Sequence, residues 1–269
     1  MPAAPALFIS HGAPTFAIEP GRLGPRLGEI GRQLTSDVAA GSGQIKAVLV
    51  VSPHWQTRDL RVMTTPKPET VHDFGGFPSE LYDLHYPAPG HPQLAAQARC
   101  LLAQTGLLVS EEARRGLDHG AWVPLMHMLP QAQLPVFQVS MPFTLTTSSA
   151  LALGRALAPL RAQGVLIVAS GSMTHNLHEF GQGSDHAADY VVEFTHWVRQ
   201  AVQRNDIAAL IDYRARAPHA ERAHPSEEHF LPLLVALGAQ LAGETALTLD
   251  GGVDNAVLSM ESYAWGMPD

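Results

Sequence analysis

Apolar runs of strand length alternate with amphipathic stretches along this chain. The runs stand at residues 6–10 (ALFIS), 45–52 (IKAVLVVS), 134–140 (LPVFQVS) and 164–170 (GVLIVAS). Rich in Val, Ile, Leu and Phe without polar alternation, they predict strands covered on both faces, as in a parallel sheet. Between them, apolar residues recur at helical spacing over 22–37, 92–106, 148–164 and 185–204, and two of these stretches end at glycine. Such alternation predicts an α/β fold, a mostly parallel central sheet flanked by helices on both faces. Segment 64–92, dense in Pro, Gly and aromatic residues, fits neither period and predicts an ordered loop serving as a lid or pocket wall. No repeat, low-complexity tract or linker-like shift divides the chain, so residues 1–269 are expected to form a single domain.

The predicted strand ends carry the candidate chemistry. His11 follows the first strand at once (SHGAP), His54 follows the second (SPHW) and His175 follows the fourth (SGSMTH). In open α/β sheets, ligands bind beyond the carboxyl ends of the strands, where distant parts of the chain converge. Imidazoles gathered there form a cage for Zn or Fe(II). Further on, HPSEEHFLPLLVALGA reads as a buried helix opened by Pro225, with Glu227 and Glu228 in its first turn and His229 about one turn in. His224 is open to three readings: cap, solvent-facing residue or ligand. Glu228 is an alternative ligand to a solvated charge, because two histidines and one carboxylate make a familiar Fe(II) triad. Asp118 and Gly120 predict a tight, exposed elbow around His119 (GLDHGAW), from which an imidazole reaches substrate or makes a structural hydrogen bond. His127, His178, His186, His196 and His219 read as surface or structural, and His72, His85 and His91 belong to the long loop.

Composition narrows the field. With 46% hydrophobic and 16% charged residues, the chain can build a large core and is too apolar for disorder. The formal net charge of -8, without any Lys/Arg run, argues against a nucleic-acid partner. Cys100 is the single cysteine; it has no intramolecular disulfide partner and reads as a small core residue of a helix. The first residues lack the features of a secretory signal and no run is long enough to cross a membrane, so the expected location is the cytoplasm. GGFP and GSG lack the context and lysine of a phosphate loop, ASGSMTH lacks the glycine of a serine nucleophile elbow, and HExxH is absent. One cysteine excludes a thiolate zinc cage. Oligomeric state is not readable from the sequence.

LFISHGAP, VLVVSPHW, VHDFGGFP with YPAPG, GLDHGAW, VASGSMTHN and HPSEEHFLPLLVALGA follow one another along nearly the whole chain. In that order they resemble the class III extradiol ring-cleaving dioxygenases of the protocatechuate 4,5-dioxygenase superfamily, most of all the DOPA 4,5-dioxygenase-like branch. The resemblance implies a mononuclear non-haem Fe(II) site, often occupied by Zn(II) on isolation, with His11, His54 and His229 as ligands. It implies that His175 acts as base on the substrate or as a fourth ligand, and that His119 lies on the oxygen side. The implied reactants are a small catechol, DOPA-like or related, and O2; the implied product is a ring-opened semialdehyde. Pro53 and Ala13 stand where the family has alanine and serine, and the wider superfamily's glutamate ligand keeps Glu228 as an alternative to His229. Trp55 and residues 74–77 are expected in the pocket wall. Two other readings of the same histidines stay open: a zinc-dependent hydrolase with His175 as base on a zinc-bound water, and a non-enzymatic metal-binding protein.

Overall fold

The four apolar runs become the four central strands of one eight-stranded sheet. In chain order the strands are β1 (Ala6–Ser10), β2 (Ala47–Thr57), β3 (Leu60–Met63), β4 (Val109–Glu112), β5 (Val136–Pro142), β6 (Val165–Gly171), β7 (Leu247–Leu249), β8 (Val253–Asp254), β9 (Leu258–Ser259) and β10 (Ser262–Trp265). The helices are α1 (Leu23–Ala40), α2 (Pro92–Ala103), α3 (His119–Met128), α4 (Thr147–Leu157), α5 (Asp189–Gln203), α6 (Ile207–Ile211), α7 (Tyr213–Arg216), α8 (Ala220–Ala223) and α9 (Leu231–Ala239). This computed structural model describes residues 3–40, 45–181 and 186–267; the GSG at 41–43 and residue 185, which begins a predicted helix, lie outside them.

Strand order is β4-β3-β5-β2-β6-β1-β10-β7. β5, β2, β6 and β1 pair in parallel, whereas β3 joins β5, and β10 joins β1 and β7, antiparallel. The fold is therefore α/β around a mostly parallel sheet. Every residue of β1 and β6 is buried, as is β2 from Ala47 to Pro53. Burial without alternation requires cover on both faces. One group, α3 with α1 beside it, packs on β2 and β6; a second, α9 with α4 beside it, packs on β1, β2 and β6. Among the described residues no helix is long and apolar enough to cross a membrane.

Several local expectations are corrected. α9 begins at Leu231, not at Pro225, because Pro232 offers no N–H to the Glu228 carbonyl and the His229 carbonyl accepts the Ser172 N–H at 2.9 Å. Residues 225–230 stay as turns. The 148–164 stretch passes from α4 into a 3-10 helix over Ala158–Gln163, where Pro159 cannot continue the α pattern. Cys100 is exposed, off the stripe of Leu94, Ala95, Ala98 and Leu102 that α2 buries. The outer strands β3, β4 and β7 are short, and β4 and β7 carry polar positions at the sheet edges, so the apolar pattern does not reveal them.

All nine residues of α9 are buried, and its approach to α4 rests on two glycines. A Cβ at Gly154 would lie 2.0 Å from the Val235 carbonyl oxygen, and one at Gly238 would lie 2.1 Å from that of Leu151. Helix propensity favours alanine over glycine by about 1 kcal/mol, while overpacking costs about 1–3 kcal/mol. Gly154→Ala and Gly238→Ala should therefore each lower stability in urea unfolding. A raised midpoint in either variant would show that the helices are not in contact there.

Candidate metal centre

The parallel block presents its histidines at the carboxyl ends of its strands. His11, 1% exposed, leaves β1 still tied to the sheet, its N–H donating to the Gly171 carbonyl at 2.9 Å. His54 lies inside β2, which runs on to Thr57 instead of ending at Ser52. The pairing of β2 with β5 slips between Val51 and Gln56, so His54 stands in the irregular part of the strand. His229, 5% exposed, sits in the turn before α9. Three elements far apart in sequence thus meet: His54 Nε2 is 3.1 Å from His11 Nε2 and 3.4 Å from His229 Nε2. One nitrogen from each ring lies within 4.8 Å of the other two.

The surrounding hydrogen bonds decide the tautomers. Pro124, inside α3, lacks the N–H that would occupy the Gly120 carbonyl, and the Ser170 hydroxyl donates to that carbonyl at 2.5 Å instead. With its one proton spent, Ser170 Oγ accepts from His11 Nδ1 at 2.9 Å. His229 Nδ1 lies 3.1 Å from a Glu228 carboxylate oxygen and His54 Nδ1 lies 3.4 Å from Asp73 Oδ2, both acceptors only. These acceptors favour the Nδ1 proton in each ring, by hydrogen bonds at His11 and His229 and by charge at His54, which turns three Nε2 lone pairs toward one another. Second protonation is opposed: burial and then the neighbouring histidines hold His11 and His229 well below the ordinary imidazole range. Burial and His119 take His54 down to about 4, against the pull of Asp118 and Asp73. Neutral nitrogen donors around one point, each with its other nitrogen fixed by an acceptor, fit a divalent transition metal.

His119 and His175 flank this trio. Contrary to the exposed elbow expected, Asp118, His119 and Gly120 are all buried, because α3 packs on the sheet and its N-terminus points into the site. Asp73 Oδ1 accepts both the N–H of His119 at 2.9 Å and its Nδ1–H at 3.0 Å. Burial would raise the Asp73 carboxyl, but the His119 hydrogen bonds and charge, with His54, bring it down to about 2. His175 stacks on His229 with ring centroids 3.5 Å apart and planes 9° from parallel. Burial takes His175 down to about 4, while Glu228 pulls the other way. His175, Glu228 and His229 also form a group close enough to hold an ion, as do His54, Asp73 and His119.

Other candidates separate from the centre. His224 is buried and its Nε2 bonds to the Met173 carbonyl at 2.9 Å, so it braces the chain before His175. His127 bonds to the Phe16 carbonyl, His72 to the Leu84 carbonyl, and His91 caps α2 through the Leu94 N–H. Trp55 is 6% exposed, with the Arg115 guanidinium 5.5 Å from its ring centroid. Phe74 stays close, its ring centroid 5.7 Å from that of His119. Sequence reasoning takes Asp118 only as a turn residue and misses Asp73 and Ser170. The signal for Asp73 is its place in VHDFGGFP, in the long loop already marked as functional; Ser170 is the last residue of a predicted strand, and Asp118 adjoins His119.

Residues 5–249 match the family described as the catalytic LigB subunit of aromatic ring-opening dioxygenase. The chain is 40% identical over 257 residues to a 4,5-DOPA dioxygenase extradiol of Beta vulgaris, covering 95% of this chain and 94% of the relative. It is 35% identical over 269 residues to a 4,5-DOPA dioxygenase extradiol of Escherichia coli strain K12, covering 97% and 94%. A crystal structure of an uncharacterized protein from Escherichia coli K12 superposes with a TM-score of 0.79 at 29% identity, covering 97% of this chain and 99% of that one.

Buried neutral histidines set the pH response of the metal-free protein. His11, His54, His175, His224 and His229 all lie below the ordinary value of 6.5, so the unfolded chain binds protons first. Stability should fall as the pH drops below about 6.5 and keep falling toward about 4, by up to about 1.4 kcal/mol per pH unit for each histidine. Urea unfolding of metal-free protein at pH 7 and pH 5 measures this. Equal stability at both would show that these rings are not buried neutral.

Proposed function

The chain belongs to the LigB family of ring-opening dioxygenases, and from that premise we propose that it is an extradiol enzyme that cleaves a DOPA-like or related catechol at a mononuclear Fe(II) centre. It is a ring-cleaving oxygenase; the metal, the ligand set and the substrate are the proposal. The observation that carries it is the convergence of the His11, His54 and His229 Nε2 atoms, with each Nδ1 facing an acceptor.

In this reading those three residues would hold the metal, Fe(II) in the active enzyme, with Zn(II) able to occupy the site on isolation, and the catechol and O2 would meet beside it. The bound Fe(II) supplies a path for electrons from the electron-rich ring to dioxygen. Everything else falls to protons and position. At neutral pH His175 is uncharged and can accept the proton a catechol hydroxyl releases. Its proton affinity rises when the catecholate anion lies beside it, since opposite charge favours the imidazolium. The Asp73 carboxylate fixes His119 through Nδ1, leaves its Nε2 free toward the site, and would stabilise the ring as an imidazolium while it donates to reduced oxygen. The Phe74 ring beside His119 gives an aromatic surface suited to a flat substrate. Both oxygen atoms enter the product as one ring C–C bond breaks next to the diol, so no external reductant is needed. The same reading has the enzyme act in the cytoplasm on a small molecule, with no nucleic-acid partner.

Protein loaded anaerobically with Fe(II), then given O2 with DOPA, protocatechuate or catechol, should consume O2 in a 1:1 ratio to catechol and form a yellow ring-opened product. No uptake with any catechol despite bound iron would count against the reading, and product formed without O2 would indicate the zinc hydrolase. Separately, His11→Ala, His54→Ala and His229→Ala should each lose metal, as removal of one of three donors leaves an inadequate site. His175→Ala should keep most of its metal and lose turnover by about 100-fold or more. Metal analysis after dialysis against a weak chelator distinguishes the two classes, and parent-like retention in all four variants would refute the assignment.

A further inference from the structure

Asp118 occupies the N-cap position of α3, where an aspartate ordinarily bonds the first helix amides, yet its side chain makes no cap bond. The His119 amide is satisfied instead by Asp73 from the long loop. The Asp118 carboxylate, fully buried, turns toward the sheet. Its Oδ1 accepts the Ser52 hydroxyl at 2.7 Å, and its Oδ2 accepts Arg115 Nη2 and Gln138 Nε2, each at 2.9 Å.

Two of those partners hold His54 by its backbone. Ser52 Oγ, its proton given to Asp118, accepts the His54 N–H at 3.2 Å. Arg115 Nη2, beside Asp118, also donates to the His54 carbonyl at 3.0 Å. This happens between Val51 and Gln56, where the β2–β5 ladder slips. Side chains gathered by one carboxylate thus take over the anchoring of the segment that carries His54. Gly120 leaves room for it: a Cβ there would lie 2.4 Å from Ser52 Oγ and 3.0 Å from His54 Cδ2. Trp55 supports the guanidinium from 5.5 Å.

We propose that Asp118 is a positioning residue for the metal centre, setting the aim of His54 through Ser52 and Arg115 and thereby the affinity and geometry of the bound ion. The arrangement does not serve the fold alone: Gln138 Oε1 and Arg115 Nε are buried without a partner among the described residues, and a fully apolar cluster in place of all four side chains would leave no such atoms. The proposal rests on the reading of His11, His54 and His229 as ligands.

The test uses the full-length protein, stripped of metal and titrated with Co(II) against a competing chelator. Asp118→Asn is expected to bind Co(II) about 10- to 100-fold more weakly than the parent and to shift its visible ligand-field bands, while far-UV circular dichroism stays that of the parent. Ser52→Ala, which cuts one link and leaves the Asp118–Arg115 pair, should show a smaller loss with a band shift in the same direction. Parent-like affinity and bands in both variants would overturn the proposal. If Asp118→Asn does not fold, Ser52→Ala decides alone, parent-like behaviour again being the overturning result. His11→Ala separates the two levels: it should abolish the Co(II) bands. If it keeps them, or if the parent has none, the ligand reading itself fails and the positioning role falls with it.

Discussion

Each of the three converging imidazoles has its Nδ1 against an acceptor, and that constraint organises the structure around it. A histidine can offer a lone pair to a metal only if its proton is kept on the other nitrogen by an acceptor that does not move. Here the acceptors are Ser170 for His11, Asp73 for His54 and Glu228 for His229. Each is itself pinned. Ser170 owes its role to Pro124, which frees the Gly120 carbonyl; Asp73 is fixed by the N-terminus of α3; Glu228 lies in the turn that Pro232 keeps from becoming helix. Two prolines, placed four residues after the carbonyls they leave open, thus govern parts of the site that their own side chains need not touch.

The tripeptide Asp118–His119–Gly120 concentrates this logic. One residue anchors the backbone at His54, the next points its ring at the site, and the third passes its carbonyl through Ser170 to His11. Such a cluster is expensive to bury: a polar group without a partner costs about 1–3 kcal/mol, and Gln138 and Arg115 each leave one. The large apolar sheet beneath, with β1 and β6 buried at every position, can carry that cost. A rigid α/β core therefore makes possible a polar, preorganised active face at one end of its strands.

Which features were legible in the sequence follows from how local their causes are. The four central strands could be read because burial on both faces leaves an apolar signature in each segment, and β1 is predicted to the residue. His11, His54 and His175 could be read because topology places the carboxyl ends of parallel strands together. The irregularity in β2, the late start of α9 and the burial of Asp118 depend on partners that are distant in sequence, so no local pattern announces them. Asp73 is the clearest instance: it lies in a loop without periodicity and gains its meaning only when α3 is packed 46 residues away. Cys100 erred the other way, since an alanine-rich helix leaves it unclear which face is buried until the sheet is in place.

The central claim, three neutral imidazoles converging on one ion, is tested most directly by a crystal structure of the metal-loaded protein with anomalous data at the metal edge. The account predicts a single peak bonded to Nε2 of His11, His54 and His229, at the roughly 2.0–2.1 Å typical of imidazole–metal bonds. A peak held by His54, Asp73 and His119, or by His175, Glu228 and His229, would contradict it.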